Sequence, residues 1–168
     1  MMNFNEISIR ARVGFSLCCL ENMIDNISSD SIKKWNIVLS KLWRFSEIEF
    51  VDEWLYEVSN SMPLSIIEDP FEPGEELTEE EYNSLKLLYR NNNVSIINVI
   101  ELIFKMGTIE LYSQIQNNSP KTIDLINEII QLTLDSNTRL PNKEVFEKYR
   151  IEDAQGWGKT FKRSDVKE

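Results

Sequence analysis

Few side chains in this sequence stand where they could do chemistry. There is no histidine, so an imidazole general base, a Ser-His or Cys-His nucleophilic pair and the usual histidine-bearing zinc sites are excluded. Cys18 and Cys19 are the two cysteines. As chain neighbours they form no regular disulfide, and two thiolates do not complete a four-cysteine metal site, so both read as buried thiols of a reducing compartment. Gly158, Lys159 and Thr160 spell the end of a phosphate-binding loop, but Asp153 stands where that pattern needs its first glycine. The segment reads as a turn. Asp69, Gly74 and Glu80 take positions 1, 6 and 12 of a calcium-loop pattern. Phe71 and Pro73 then fall on positions 3 and 5, where side-chain oxygens must ligate the ion, and the match fails there. A catalyst would have to rely on carboxylates, lysine or tyrosine, and no set of these is singled out. The expectation is a binding protein, not an enzyme, with no metal and no cofactor.

What does stand out is E-D-P-F-E-P-G-E-E-L-T-E-E-E-Y over residues 68–82, with eight carboxylates and no basic residue. Glu79, Glu80 and Glu81 suit the first turn of a helix, where the macrodipole favours negative charge. That leaves Glu68, Asp69, Glu72, Glu75 and Glu76, which precede the helix and repel one another. Crowded like charge becomes favourable when a positive surface docks on it, and such a patch can raise association rates to about 10⁸–10⁹ M⁻¹s⁻¹ at low salt. Phe71 and Leu77 sit among the charges and either anchor a partner or fold back on the domain. Trp157, between Gly156 and Gly158, has the same two options; the inward one is expected, because isolated exposed tryptophan is uncommon. The candidate partner-binding set is Glu68, Asp69, Phe71, Glu72, Glu75, Glu76, Glu79, Glu80 and Trp157. Trp35, Trp43 and Trp54 fall on helical patterns and read as core.

Helices must position these residues. A chain of 168 residues, 42% hydrophobic, is enough for one core. Ile9, Val13, Leu17, Leu20, Ile24 and Ile27 recur at helical spacing, followed by capping oxygens at Ser28, Ser29 and Asp30 and a second helix with Ile32, Trp35, Leu39 and Leu42. Ser46 and Glu49 have the spacing of a capping box and predict the start of a third helix carrying Val51, Leu55 and Val58. Prolines 63, 70 and 73 with Gly74 predict a surface loop over residues 61–77. Thr78 and Glu81 repeat the capping spacing and open a fourth helix, which the asparagines at 91–93 end. The run from Ile96 to Phe104 is the most apolar helix and is expected at the centre. Ser119 and Pro120 open a sixth helix, and Pro141 a short last one with Val145, Phe146 and Tyr149. The class is all-α: a single-domain bundle of about six to seven helices, with irregular stacked hairpins as its alternative form. Residues 1–152 make the helical domain and 153–168 a loop and tail.

The net charge of −10 disfavours nucleic acid and anionic membranes as partners and favours a basic protein. Residues 61–90 hold eight acidic and two basic residues, more than half of the net charge. The N-terminus carries acid and base before any apolar run, and the apolar run at 94–106 is broken by Asn98, Glu101 and Lys105, so neither a leader nor a membrane span is expected. A cytoplasmic location follows.

The opening I-R-A-R-V-G-F-S-L-C-C-L-E-N, the W-x-x-V-L-x-K-L-W pattern from Trp35 to Trp43 and the G-W-G at 156–158 resemble an all-α family of bacterial immunity proteins encoded beside polymorphic or contact-dependent toxins. The likeness runs over most of the chain, and none of its motifs is tied to a catalytic chemistry. The resemblance implies a cytoplasmic protein that binds a cognate toxin domain and neutralises it. The charge adds that this toxin is basic, with a nuclease as the guess. A non-enzymatic helical adaptor or regulatory domain with a basic protein partner is the alternative.

Overall fold

The Ser8 hydroxyl accepts a hydrogen bond from the Ala11 N–H, and the helix that this cap starts, α1 (Ile9–Asp25), is the axis of the molecule. The computed structural model describes residues 3–28, 31–74, 76–91 and 93–167. Ser29 and Asp30, expected as caps, lie outside them. Around α1 stand α2 (Ser31–Glu47), α3 (Val51–Val58), α4 (Pro63–Glu68), α5 (Glu79–Arg90), α6 (Val94–Thr108) and α7 (Pro120–Asp135). Among the described residues there is no strand; one antiparallel bridge pairs Ile7 with Arg150. The protein is an all-α bundle.

Periodicity marks one apolar face on α1, yet every residue from Ile9 to Glu21 is buried. Helices α2, α6 and α7 all pack against it. Helix α6, expected at the centre, packs on α1, α3, α4 and α7 and leaves Ile97, Leu102 and Phe104 partly covered. Burial of α1 turns on its polar residues. Arg10 and Arg12, two positions apart on a helix, point in nearly opposite directions. Arg10 donates from Nε to the Gly158 carbonyl at 3.2 Å, and from its two Nη atoms to the carbonyls of Phe45 and Glu49. Arg12 donates to the carbonyls of Phe4 at 3.0 Å and Asn118 at 2.8 Å and to Thr122 Oγ1 at 2.6 Å. Among the described residues neither has a carboxylate partner. Burial pushes both guanidinium pKa values down to about 10, so both stay charged at neutral pH.

Several expected boundaries move, each for a tertiary reason. Ser46 does not cap α3: it lies within α2, and its hydroxyl donates to the Trp43 carbonyl at 2.9 Å. Arg10 donates to the Phe45 carbonyl in the last turn of α2 and to the Glu49 carbonyl just past it, and Phe50 precedes α3 with no side-chain cap. The loop expected over 61–77 is shorter, because Pro63 takes the first turn of α4, where its missing N–H is not needed. The next orphan donor, the Leu64 N–H, reaches the Glu101 carboxylate at 2.8 Å. Pro141 opens no helix longer than the 3₁₀ turn Glu144–Phe146. The chain turns there so that the Ser8 N–H can reach the Tyr149 carbonyl at 2.9 Å. Ser119 does precede Pro120, but it is left-handed with φ of 52°, and its hydroxyl donates to Glu110 at 2.9 Å instead of capping α7.

The segment after residue 152 has no α-helix, as expected of a loop and tail, but it is built into the core. The Phe161 N–H donates to the Ser46 carbonyl at 2.9 Å, and its ring lies over Gly14, where a Cβ would come within 2.8 Å of it. Glu21, buried on α1, accepts from Trp43 Nε1 at 2.7 Å and pairs with Arg163 at 2.5 Å and with Lys167. Cys18 and Cys19 are buried free thiols, and Trp35, Trp43 and Trp54 are core residues, as expected.

Removing the Arg12 guanidinium orphans carbonyls that the fold has already taken from water. Arg12→Ala is expected to lower the unfolding free energy by about 3 kcal/mol or more in urea titrations, and Arg12→Lys, which has no fork of donors, to restore less than half of that. A loss below about 1 kcal/mol would show that the loops do not depend on it.

Candidate functional site

The acidic stretch begins where α4 ends, with the Asp69 N–H donating to the Ser65 carbonyl at 2.9 Å. The Tyr82 hydroxyl donates to the Asp69 carbonyl at 2.8 Å, and the Phe71 ring lies 5.6 Å from the Tyr82 ring. Leu77 is buried. Past it, Thr78 and Glu81 form the expected capping box: the Glu81 N–H donates to Thr78 Oγ1 at 3.2 Å and the Thr78 N–H to the Glu81 carboxylate at 2.9 Å. The segment is therefore pinned at its start, middle and end. Of the two placements open to Phe71 and Leu77, the inward one holds: Leu77 is buried and Phe71 half-buried against the bundle. Phe71 is a frame residue more than a surface anchor.

The carboxylates face the other way. Glu68, Asp69, Glu72, Glu76, Glu79 and Glu80 are exposed, and among the described residues none of them is in an ion pair. Glu75, the ninth member of the expected set, lies outside the described residues. Several basic residues of the C-terminal region are engaged elsewhere: Arg163 and Lys167 with Glu21, Lys159 with Asp153, Arg150 with Glu6 and Glu152. Lys86, on α5 itself, donates to the Tyr82 hydroxyl at 3.0 Å and lies over its ring. Beneath this ledge the half-buried Glu101 carboxyl has a raised pKa, mainly through desolvation and further through Glu68, against the pull of the Leu64 N–H. Adding charge here is unfavourable to the isolated chain.

Trp157 lies in a different place. Its carbonyl accepts from the Arg10 N–H at 3.1 Å, and its ring, half-buried, stands 6.4 Å from that of Phe45. Gly158 beside it has φ of +86°, and a Cβ there would collide with Ser8 Oγ at 2.1 Å, so only glycine fits. One side of the ring borders a groove of about 420 Å³ with Glu49, Phe50, Asp52, Leu111 and Tyr112, and the other a groove of about 460 Å³ with Ile115, Asn117, Glu152 and Gln155. No residue of the acidic ledge lines either one. The expected site is thus two surfaces, and the ledge and Trp157 do not share a groove.

No protein-family model, curated protein or solved structure matches the chain. Recognition has to be read from the residues themselves. Beside Trp157 the side chains of Phe50, Tyr56 and Tyr112 are 58%, 67% and 80% exposed, too much for core residues of their size. Reading the helices for their inner faces passes over them. Tyr56 had a signal: it lies four positions from Asp52 and three from Glu53, on the polar side of α3. Phe50 and Tyr112 sit at helix ends, where periodicity is silent. The loops behind the patch are strained, with Asn117, Asn118 and Ser119 at φ of 49°, 56° and 52° and Ala154 and Gln155 at 47° and 56°. Left-handed conformations of this kind persist only where the surroundings enforce them. Among the described residues no three acidic or sulfur side chains converge as a metal would need, and no helix is long and apolar enough to cross a membrane.

The capping box ties the ledge's stability to pH. The Glu81 carboxyl is held below its ordinary value, first by the Thr78 backbone N–H. A carboxyl depressed in the folded state stabilises above its unfolded pKa and loses that contribution as pH falls through the folded one. Glu81→Ala, which removes the carboxylate that accepts from the Thr78 N–H, is expected to cost up to about 1 kcal/mol at neutral pH in chemical denaturation. Most of the difference between it and the native chain should vanish at a pH well below the carboxylate range; a difference independent of pH would show that the charge of Glu81 takes no part.

Proposed function

We propose that this chain is an immunity protein, which binds the basic face of a cognate toxin domain and occludes it. The observation that carries the reading is the ledge: exposed carboxylates, unanswered by any ion pair among the described residues, on a segment pinned by Tyr82, Leu77 and the Thr78 cap. Such a group of charges is repulsive in the free chain and becomes favourable against arginines and lysines. The resemblance of the I-R-A-R, W-x-x-V-L-x-K-L-W and G-W-G segments to immunity proteins supports the same reading from other residues. Inhibition by occlusion needs no catalytic group, and the basic cleft of a nuclease is the kind of surface that an acidic ledge would cover.

The two surfaces divide the work by range. Charges on the ledge act at a distance and set the encounter rate, whereas Phe50, Tyr56, Tyr112 and Trp157 act only in contact and set the lifetime of the complex.

The test begins with co-expression of the chain and the toxin encoded beside its gene, scored for rescue of growth and for a purified complex. Reversing Glu72, Glu75 and Glu76 to lysine is expected to slow association at least about tenfold at low salt and to flatten its salt dependence. Phe50→Ala with Tyr112→Ala should leave association nearly unchanged and speed dissociation at least about tenfold. Unchanged association in the lysine variant would remove the ledge from the interface, and failure of the neighbouring toxin to bind at all would remove the proposed function.

A further inference from the structure

A cavity of about 930 Å³ opens on another part of the molecule, larger than either groove beside Trp157 and within the range of small-molecule sites. Its apolar wall is assembled from distant parts of the chain: Phe4 before α1, Phe15 on α1, Ile130 on α7, then Leu140 and Val166. None of the residues assigned to the ledge or to the Trp157 grooves lines it.

Its charge runs against that of the protein. In a chain of net charge −10, the ionisable carboxyl on this wall is Glu21, and the cations on it are Arg139, Lys143 and Lys167. Glu21 is already answered by Arg163 and Lys167. Arg139 and Lys143 are in no ion pair among the described residues. The segment that carries them is held in place. Asn22 Nδ2 donates to the Arg139 carbonyl at 2.9 Å, Asn26 Nδ2 to Thr138 Oγ1 at 3.1 Å, and the Glu144 N–H to Asn142 Oδ1 at 3.1 Å. Two unanswered cations stand on a fixed segment at the edge of an apolar cavity.

We propose that this cavity binds an amphipathic organic anion, an unbranched aliphatic carboxylate, with its chain against Phe4, Phe15, Ile130, Leu140 and Val166 and its head group at Arg139 and Lys143. The pairing follows from what each half of the site lacks. Apolar side chains lining an open cavity gain from a hydrocarbon that displaces water, and two unpaired cations gain from a carboxylate. A neutral chain would satisfy only the wall and a small anion only the rim. Because the wall joins residues from both ends of the chain, an occupant would also tie those ends together and raise the melting temperature.

Isothermal titration calorimetry on the full chain, with decanoate, decanol and acetate as probes, tests this independently of any toxin. Decanoate is expected to bind, with affinity rising roughly three- to fourfold per methylene across the series from hexanoate. Decanol should bind at least about tenfold more weakly and acetate not measurably. Arg139→Glu with Lys143→Glu, both outside the core, should weaken decanoate at least about tenfold and leave decanol unchanged. No heat from decanoate at millimolar concentration, equal binding of decanol, or undiminished binding by the doubly reversed variant would each overturn the assignment.

Discussion

Arg10 and Arg12 are buried on α1 with no carboxylate beside them, and the arrangement of the loops follows from that. A guanidinium taken from water without partners costs several kcal/mol, so a fold that buries two must bring acceptors to both. Lying on opposite sides of the helix, they draw in different parts of the chain. Arg10 gathers the carbonyls of Phe45, Glu49 and Gly158, and Arg12 those of Phe4 and Asn118 with the Thr122 hydroxyl. Backbone carbonyls presented to a fixed point leave the loops little freedom. The left-handed run at 117–119 is where Arg12 is served, and the left-handed residues at 154 and 155 lie just before the Gly158 carbonyl that serves Arg10. Strain of about 1 kcal/mol per residue is smaller than the penalty of an orphaned guanidinium, so the loops yield and the arginines do not.

The same hierarchy decides where the basic residues of the tail go. Glu21 is as deeply buried as the arginines and cannot be left ionised without cations close by. Arg163 and Lys167 reach it from the C-terminal segment, and Trp43 adds a donor. An exposed ion pair contributes about 0–1 kcal/mol, whereas an unanswered buried carboxylate costs several. Arg163 and Lys167 are therefore committed to the core and are not at hand for the carboxylates of the ledge.

What was legible in the sequence was what local chemistry decides. Thr78 with Glu81 and Pro120 at the start of α7 stand where expected, because each is satisfied within its own turn of helix. Ser46 with Glu49 has the same spacing as Thr78 with Glu81 and behaves differently: Ser46 lies inside α2 with its hydroxyl on the Trp43 carbonyl, while Arg10, 35 or more residues away, donates to the carbonyls of Phe45 and Glu49. No pattern read along the chain contains that contact. The burial of α1 on all sides was hidden for the same reason: Arg10, Arg12 and Glu21 look like solvent-exposed positions until their partners are known. Residues of the motifs that resemble immunity proteins meet one another in space, Arg10 with Gly158 and Glu21 with Trp43. Their contacts maintain the frame and carry no information about a partner, which is why the site had to be sought in charge and exposure instead.

The ledge shares no lining residue with the grooves beside Trp157, and the interactions that the two offer differ in range. Coulomb attraction between surfaces reaches about one Debye length, near 8 Å at physiological salt. Aromatic contact needs heavy atoms within about 4.5 Å. Carboxylates of the ledge therefore act over a longer range than the aromatic side chains do. The chain between the two surfaces is α3, the turn Ser59–Ser61 and α4, ordered throughout and packed on α6. Carboxylates stand beside the aromatics too, Glu49 and Asp52 in one groove and Glu152 in the other, so the ledge differs from them in how densely like charge is crowded and not in holding charge at all.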